Sequence, residues 1–227
     1  MASSTSIRRP RRSTLGEDVY EVLKTLVMDS ALPPGDRVNI DALAREMEVS
    51  TTPVREALAR LESEGLVRKR ALVGYTVTPL LTHQEFNDLV DIRLLLEGGA
   101  ARSAAERADA DQRAEIVAAA DATVAPPDGD GDGWRSQAQF TALDARFHDL
   151  VAVASGNQFL HESIERLHAH LHLVRLYFPH GAGSTLEEHR RIAEAIRDGA
   201  ADAAEAAMRQ HLTNGRERHQ GAFDRGE

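Results

Sequence analysis

Apolar residues recur at intervals of three and four from residue 81 onward, and this spacing constrains the fold more than any other feature of the sequence. The alternation of apolar and polar residues that indicates a strand does not occur there. Helices are therefore predicted at 82–108, 112–123, 134–154, 157–178, 186–197 and from 201 to about 211. Packed through their apolar stripes, they predict an antiparallel all-α bundle of six or seven helices over residues 81–217, followed by a tail at 218–227.

The preceding segment, residues 16–80, has a mixed pattern. Helical spacing predicts a helix at 17–29, a short one at 41–48 and, after a tight connection, a third that ends near Gly65. Two short runs with β-branched residues, 66–70 and 74–79, predict a small hairpin. This order of elements predicts a winged helix-turn-helix in a mainly α chain. A helical hairpin used for protein contact is the alternative.

The acidic net charge of −9 conceals an asymmetry. Residues 1–80 carry a net charge of +1 and residues 81–227 one of −10, which places any contact with nucleic acid in the first unit. The first fifteen residues lack apolar periodicity and hold a basic cluster of Arg8, Arg9, Arg11 and Arg12. We expect a disordered arm at 1–15, which either binds phosphate or is an uncommitted solvated tail.

Candidate DNA contacts follow from the predicted helix-turn-helix. The third helix of the segment is the recognition helix, whose N-terminal end enters the major groove in such proteins. Thr51, Thr52 and Arg55 lie at that end. An arginine can bind guanine through two hydrogen bonds, and threonine can bind phosphate or base edges. The wing would contact phosphates through Arg68, Lys69 and Arg70.

The chain contains no cysteine, which excludes disulfides and thiolate metal sites and fits a cytoplasmic protein. No apolar run approaches the roughly 18 residues of a membrane span, and the N-terminus lacks an apolar signal-peptide core. We therefore expect a cytoplasmic protein with no membrane partner.

A carboxylate and an imidazole share one face of the predicted helix at 134–154, because Asp144 and His148 are one turn apart. His189 and His211 lie ten residues before and twelve residues after Gly199, so an antiparallel hairpin returns them to nearly the same height. These four side chains could meet inside the bundle. One carboxylate and three imidazoles suit zinc first, with nickel, manganese or iron as further choices, and do not suit calcium or magnesium.

Two other patterns compete with this set. His161 lies as far after the turn at 155–156 as His148 lies before it, so it could replace one of the ligands. The segment 128–133 copies the first half of an EF-hand loop, but the twelfth position would be Gln139 rather than glutamate. We expect a flexible acidic loop there rather than a calcium site.

The segment from PPG at 33–35 to GYTV at 74–77, with VSTTPVREALARLESEGLV at its centre, resembles the DNA-binding domain of the GntR superfamily of bacterial transcription regulators. The resemblance covers about 17–79. The expected DNA-binding residues are Arg37, Thr51, Thr52, Arg55, Arg68, Lys69, Arg70 and Gly74. Two departures, Thr51 and Asp41, remove positive charges that family members usually carry at these places, so Arg55 and the wing would carry more of the binding.

The sequence DARFH at 144–148, SGN at 155–157 and EEHRRIAEAIRDGAADAAEAAMRQHL at 187–212 resembles the FCD effector domain of the FadR subgroup, over about 84–213. The metal-binding branch implies the same ligands, Asp144, His148, His189 and His211. It also implies a small organic-acid effector beside the metal, with Arg93 binding its carboxylate. The alternative for Arg93 is a buried ion pair with Glu97, one turn later. Asn157 is expected to be a helix cap rather than a ligand.

These observations predict a metabolite-responsive, DNA-binding transcription regulator, and not an enzyme. A homodimer would place two recognition helices on a palindromic operator, and repression relieved by the effector is the commoner pattern in the family. Three alternatives remain: a sensor for which the metal is the signal, a metal-dependent enzyme, and a regulator that binds an acyl-CoA-type ligand without metal.

Overall fold

The computed structural model describes residues 15–28, 31–123, 133–177 and 183–223, and the chain divides into two compact units, Met1–Thr78 and Pro79–Glu227. The first unit contains α1 (Leu15–Met28), α2 (Ile40–Glu46), α3 (Thr51–Ser63), β1 (Val67–Arg70) and β2 (Gly74–Val77). The second contains α4 (His83–Arg107), α5 (Ala110–Ala122), α6 (Gly133–Ala154), α7 (Gln158–Tyr177), α8 (Gly183–Arg197) and α9 (Ala201–Phe223). The mainly α fold class is therefore confirmed.

The first unit is a winged helix-turn-helix, as predicted. The connection between α2 and α3 is tight because Glu48 adopts a left-handed backbone, with φ of 54°, and the Val49 amide donates to the carbonyl of Ala44. Gly65, the predicted helix stop, has φ of 75° and turns the chain from α3 into the wing. The core of the unit is formed by Leu23, Val54, Leu58, Leu61, Leu66 and Val77.

The wing is a two-stranded antiparallel hairpin in which Val67 pairs with Val77 and Arg70 pairs with Gly74. Arg37 adds an isolated bridge to Thr76, which joins the segment before α2 to the hairpin. Strand β1 carries Arg68, Lys69 and Arg70, so this pairing holds the three basic residues on the wing.

The second unit is built around α4, which begins with a capping box: the Thr82 side chain accepts from the Glu85 amide, and the Glu85 carboxylate accepts from the Thr82 amide. Small residues along one side of α4 let other helices approach closely, and a Cβ added at Gly98 would lie 3.1 Å from Nε of Arg209 on α9. Larger side chains of α6, α8 and α9 fill the remaining space. The shared core includes Ala101, Ala104, Phe147, Val151, Ile192, Ile196 and Met208.

The end of the second unit departs from the prediction. Helix α9 continues to Phe223, past the predicted boundary at 217, because no proline or left-handed glycine interrupts its spacing before that point. Residues 1–14 of the basic arm predicted at 1–15 and residues 128–132 of the acidic loop predicted at 128–133 lie outside the described residues, whereas Leu15 begins α1 and Gly133 begins α6. No helix in the described ranges is long and apolar enough to cross a membrane.

Candidate metal centre

Helix α6 places Asp144 and His148 on its buried side. Their neighbours Phe147 and Val151 belong to the core, so the face that carries the two polar groups is turned into the bundle. Asp144 is 2% exposed and His148 is 1% exposed. A carboxylate and an imidazole withdrawn from water to this extent need partners that offset the cost of desolvation.

Helices α8 and α9 bring His189 and His211 to the same point. The turn between them includes Gly199, with φ of 69°, and it reverses the chain directly after α8. Each of the four residues offers one ligand atom, and these atoms lie within 4.8 Å of one another: Asp144, His148, His189 and His211. The spacing of the sequence allows these four residues to meet, and the structure brings them together.

Three separations inside the cluster are close to those between atoms that bind one metal ion. Nε2 of His148 and Nε2 of His211 are 3.2 Å apart. Asp144 lies 3.6 Å from Nε2 of His189 through Oδ1 and 3.8 Å from Nε2 of His148 through Oδ2. Ligand atoms on a tetrahedral zinc ion, at about 2.0–2.1 Å from the metal, would be roughly 3.3–3.4 Å apart.

Each histidine is oriented by a second group at its other ring nitrogen. Nδ1 of His148 lies 2.5 Å from Oε2 of Glu97 on α4, and Nδ1 of His211 lies 2.7 Å from Oε2 of Glu188 on α8. Nδ1 of His189 lies 3.2 Å from Oγ1 of Thr123, at the end of α5. Partners of this kind on the outward nitrogen are typical of metal-ligating histidines, because they turn the other nitrogen toward the metal.

The hydrogen bond of Thr123 fixes the role of His189. The Thr123 hydroxyl donates to the carbonyl of Ala119 at 3.0 Å, so its oxygen accepts the proton on Nδ1 of His189. The lone pair of His189 is then on Nε2, which faces the cluster. If His148 and His211 also carry their protons on Nδ1, their Nε2 atoms face each other at 3.2 Å with a lone pair each. Two lone pairs repel at this distance, and a cation between them stabilises the arrangement.

Burial lowers the pKa of His148 to about 4, although Glu97 and Asp144 oppose that shift. The imidazole is therefore neutral near pH 7, as a metal ligand must be. Burial would raise the pKa of Glu188, but hydrogen bonds from His211, Arg218 and Asn214 lower it to about 2, so this carboxylate is ionised. Three imidazoles and one carboxylate are a donor set that fits a divalent transition metal.

Arg93, expected to bind an effector, lies beside this cluster and is only 4% exposed. Its Nε is 2.5 Å from Oε1 of Glu97 and its Nη2 is 3.3 Å from Oε2 of the same carboxylate. The buried ion pair considered from the sequence is therefore present. Glu97 contacts both Arg93 and His148, so the arginine is connected to the candidate metal ligands through one side chain.

The competing histidine is elsewhere. Nε2 of His161 lies 2.7 Å from Oδ1 of Asp149, in a half-buried pair between α7 and α6, and His161 is not a member of the cluster. Asn157 is a cap, as expected, because its Oδ1 accepts from the Leu160 amide at 3.2 Å. Sequence reasoning missed Thr123 and Glu188 and the contact of Glu97 with His148, since nothing in their local spacing indicates what they face.

The residues expected to contact DNA lie on the first unit. Arg37, Arg55 and Gly74 line an open groove of about 570 Å³ between the start of α2, α3 and the wing, and Asp41 lines it too. Thr51 and Thr52 occupy the first turn of α3, and the basic residues Arg68, Lys69 and Arg70 lie along β1. Asp41, where family members usually carry a positive charge, therefore lines the same groove as Arg37 and Arg55.

Comparison with protein families gives two matches that follow each other along the chain. Residues 15–77 match the family described as bacterial regulatory proteins, gntR family. Residues 88–214, more than half of the chain, match the FCD domain. The two matched segments coincide with the winged helix-turn-helix and with most of the helical bundle.

Individual relatives agree with these matches. The Nta operon transcriptional regulator of Aminobacter aminovorans is 31% identical over 79% of this chain and 82% of its own. The uncharacterized HTH-type transcriptional regulator YdhC of Bacillus subtilis is 28% identical over 86% of both chains. The fold resembles that of E. coli McbR/YncC, with a TM-score of 0.65 and 20% identity over 93% of this chain and 100% of that one. The chain therefore belongs to the gntR family of bacterial transcription regulators and carries the FCD domain as its second unit.

Proposed function

We propose that this DNA-binding regulator responds to a small organic acid and that its helical unit holds a divalent transition metal, with zinc as the first choice and nickel, manganese or iron as the others. The observation that carries this proposal is the buried cluster of Asp144, His148, His189 and His211, whose ligand atoms lie within 4.8 Å of one another. The three imidazole rings are oriented by groups at their outer nitrogens, and together with the buried carboxylate they are suited to bind a metal.

The groove of the first unit supports operator binding through Arg37 and Arg55. Both side chains are exposed, and within the described part of the chain neither forms an ion pair. They are thus available for phosphates or for guanine edges, which is the role proposed for them, for Thr51 and Thr52, for the wing residues Arg68, Lys69 and Arg70, and for Gly74. Asp41 beside them would be repelled by a phosphate and could accept from the amino group of cytosine.

The effector proposal combines the metal with Arg93. Glu97 contacts both the arginine and Nδ1 of His148, the ring nitrogen turned away from the cluster, so a carboxylate on the metal would reach Arg93 only by sharing or replacing its contact with Glu97. The effector would then share Arg93 with Glu97. Binding would favour one arrangement of the bundle over another, and the commoner consequence in this family is release of repression.

A homodimer is the proposed assembly, since a palindromic operator presents two equivalent half-sites. Helices α4 and α7 pack on each other through Ala100, Leu96, Leu160 and Ile164. On these two helices Leu95 is 67% exposed and Phe159 is 82% exposed. Large apolar side chains left in water suit contact with a second copy of the bundle.

Two alternatives use the same cluster. A metal sensor would change its affinity for DNA when metal is added, whereas an effector-responsive regulator would keep its metal in both states. A metal-dependent enzyme would use an open coordination position to activate water, but the bundle is attached to a DNA-binding unit, which favours regulation.

Elemental analysis of untagged protein purified without chelator tests the metal site. We expect about one metal per chain in the wild type and almost none in the Asp144→Ala/His189→Ala double variant, since a site with half its ligands removed loses most of its affinity. A thermal-shift screen of small dicarboxylates and hydroxycarboxylates on the metal-loaded protein then identifies the effector. A wild type that stays metal-free after reloading contradicts the proposal and assigns the four residues a structural role.

A further inference from the structure

The end of α9 reaches back toward the candidate metal centre through Arg218. This residue lies four positions beyond the last residue that matches the FCD domain. Its Nη1 is 2.8 Å from Oε1 of Glu188 and its Nη2 is 3.0 Å from Oε2 of the same carboxylate. Two parallel contacts between a guanidinium and a carboxylate fix both the position and the plane of the carboxylate.

Each carboxylate oxygen of Glu188 accepts a second hydrogen bond besides the one from Arg218. Oε1 also accepts from Nδ2 of Asn214 at 2.7 Å, and Oε2 accepts from Nδ1 of His211 at 2.7 Å. The side chain of Glu188 is 9% exposed, whereas that of Arg218 is 22% exposed and can be changed without opening the core. The plane of the Glu188 carboxylate therefore decides the direction in which the His211 ring presents its Nε2.

We infer that Arg218 is a positioning residue for the metal ligand His211 and that it acts through Glu188. The inference rests on the proposed metal site. It predicts that a change at a partly buried side chain outside the matched domain alters metal affinity, although Arg218 itself touches no candidate ligand.

The same turns of α9 have other anchors, which provide a control. Arg216 forms an ion pair with Asp91 on α4, and the ring of His219 lies 5.4 Å from that of Phe86. Loss of Arg216 removes an anchor of the helix end without touching Glu188. A general loosening of α9 would therefore weaken the metal site in both arginine variants, whereas positioning through Glu188 would weaken it only when Arg218 or Glu188 is changed.

The experiment measures the dissociation constant for zinc, by competition with a chromophoric chelator, for the full-length wild type and a set of variants. The variants are Arg218→Gln, Arg218→Lys, Glu188→Gln, Arg218→Gln/Glu188→Gln and, as the control, Arg216→Gln. Circular dichroism and the thermal midpoint without metal check that each variant is folded.

We expect Glu188→Gln to weaken zinc binding by about tenfold or more, as removal of an outer partner of a ligating histidine does. Arg218→Gln should weaken it by a smaller factor, Arg218→Lys by less still, and Arg216→Gln by no more than about twofold. The double variant should bind no more weakly than Glu188→Gln, because the two residues act in series.

Equal affinity of the wild type and Arg218→Gln would overturn the inference while leaving the proposed function intact. Equal losses in Arg218→Gln and Arg216→Gln would also overturn it, since they indicate loosening of the helix end. A wild type that binds no zinc would overturn the proposed function and the inference together.

Discussion

The ion pair of Arg93 and Glu97 is the most consequential contact at the scale of single residues. The two side chains lie one turn apart on α4, and their exposed fractions are 5% and 2%. A pair at such depth gives little net stability as a whole, because desolvation offsets the attraction. Removal of one partner has a different result, since it leaves the other charge in an apolar interior without compensation.

Glu97→Gln is therefore expected to lower the free energy of unfolding by about 3–5 kcal/mol, because it leaves the Arg93 guanidinium buried without its carboxylate. The measurement is urea unfolding followed by circular dichroism at neutral pH, on protein that was stripped of metal.

Arg93→Met/Glu97→Leu serves as the matched comparison, because it replaces both charges with apolar groups of similar length. It should recover much of the lost stability. If Glu97→Gln unfolds at the same urea concentration as the wild type, the ion pair is not a buried electrostatic contact in solution.

Residue spacing indicated that the four candidate ligands could meet, and it did not indicate which groups hold them in place. Asp144 and His148 share a face through helical geometry, and the turn at Gly199 sets the heights of His189 and His211. Thr123 is a threonine at a helix end, and its contact with His189 depends on how α5 packs against α8. The spacing of apolar residues within one helix does not reveal which residues of another helix it contacts.

At the scale of secondary structure, α3 and the wing form the proposed surface for DNA. The buried side of α3 is set by Val54, Leu58 and Leu61, and Arg55 lies outside this stripe and is exposed. Arg55 enters the groove that Arg37 and Gly74 also line. The apolar spacing of the helix therefore fixes which of its residues can meet a duplex.

Arg55→Ala should weaken binding to a duplex that the protein selects from a randomised pool by about 1–3 kcal/mol, and it should relax the preference at one base pair if Arg55 binds guanine. Fluorescence anisotropy at several salt concentrations measures both the affinity and its salt dependence.

Arg55→Lys distinguishes the two roles of that side chain. Lysine keeps the charge but lacks the planar fork, so a phosphate contact would survive this change and a guanine contact would not. Glu56→Ala, the exposed neighbour on α3, checks that a change in this helix does not weaken binding by itself. Unchanged affinity in Arg55→Ala would remove Arg55 from the DNA interface.

Helix positions were predictable because the 3.6-residue period and the stop residues agree along most of the chain. Gly65 and Gly199 mark ends that the structure shows, and both have a left-handed backbone. The end of α9 was not predictable to the same degree. Its last turns are polar, and they are held by partners on α4 and α8 such as Asp91 and Glu188, which the local sequence does not reveal.

At the scale of the whole molecule, the candidate metal ligands belong to one of the two units. Asp144 and His148 come from α6, His189 from α8 and His211 from α9, and all of them lie in Pro79–Glu227. A metal bound by three helices would stabilise the folded bundle but not the unfolded chain, whereas the winged helix-turn-helix contributes none of these ligands.

Removal of the metal is therefore expected to lower the unfolding temperature of the bundle and to leave that of the DNA-binding unit unchanged. At a free metal concentration about a thousand times the dissociation constant, the bound ion adds about 4 kcal/mol to the stability of the folded state. Differential scanning calorimetry of the loaded protein, with and without excess chelator, measures the change. The Asp144→Ala/His189→Ala variant should unfold at the same temperature in both conditions. If chelator lowers the transition of that variant as much as that of the wild type, the stabilising ion is bound elsewhere.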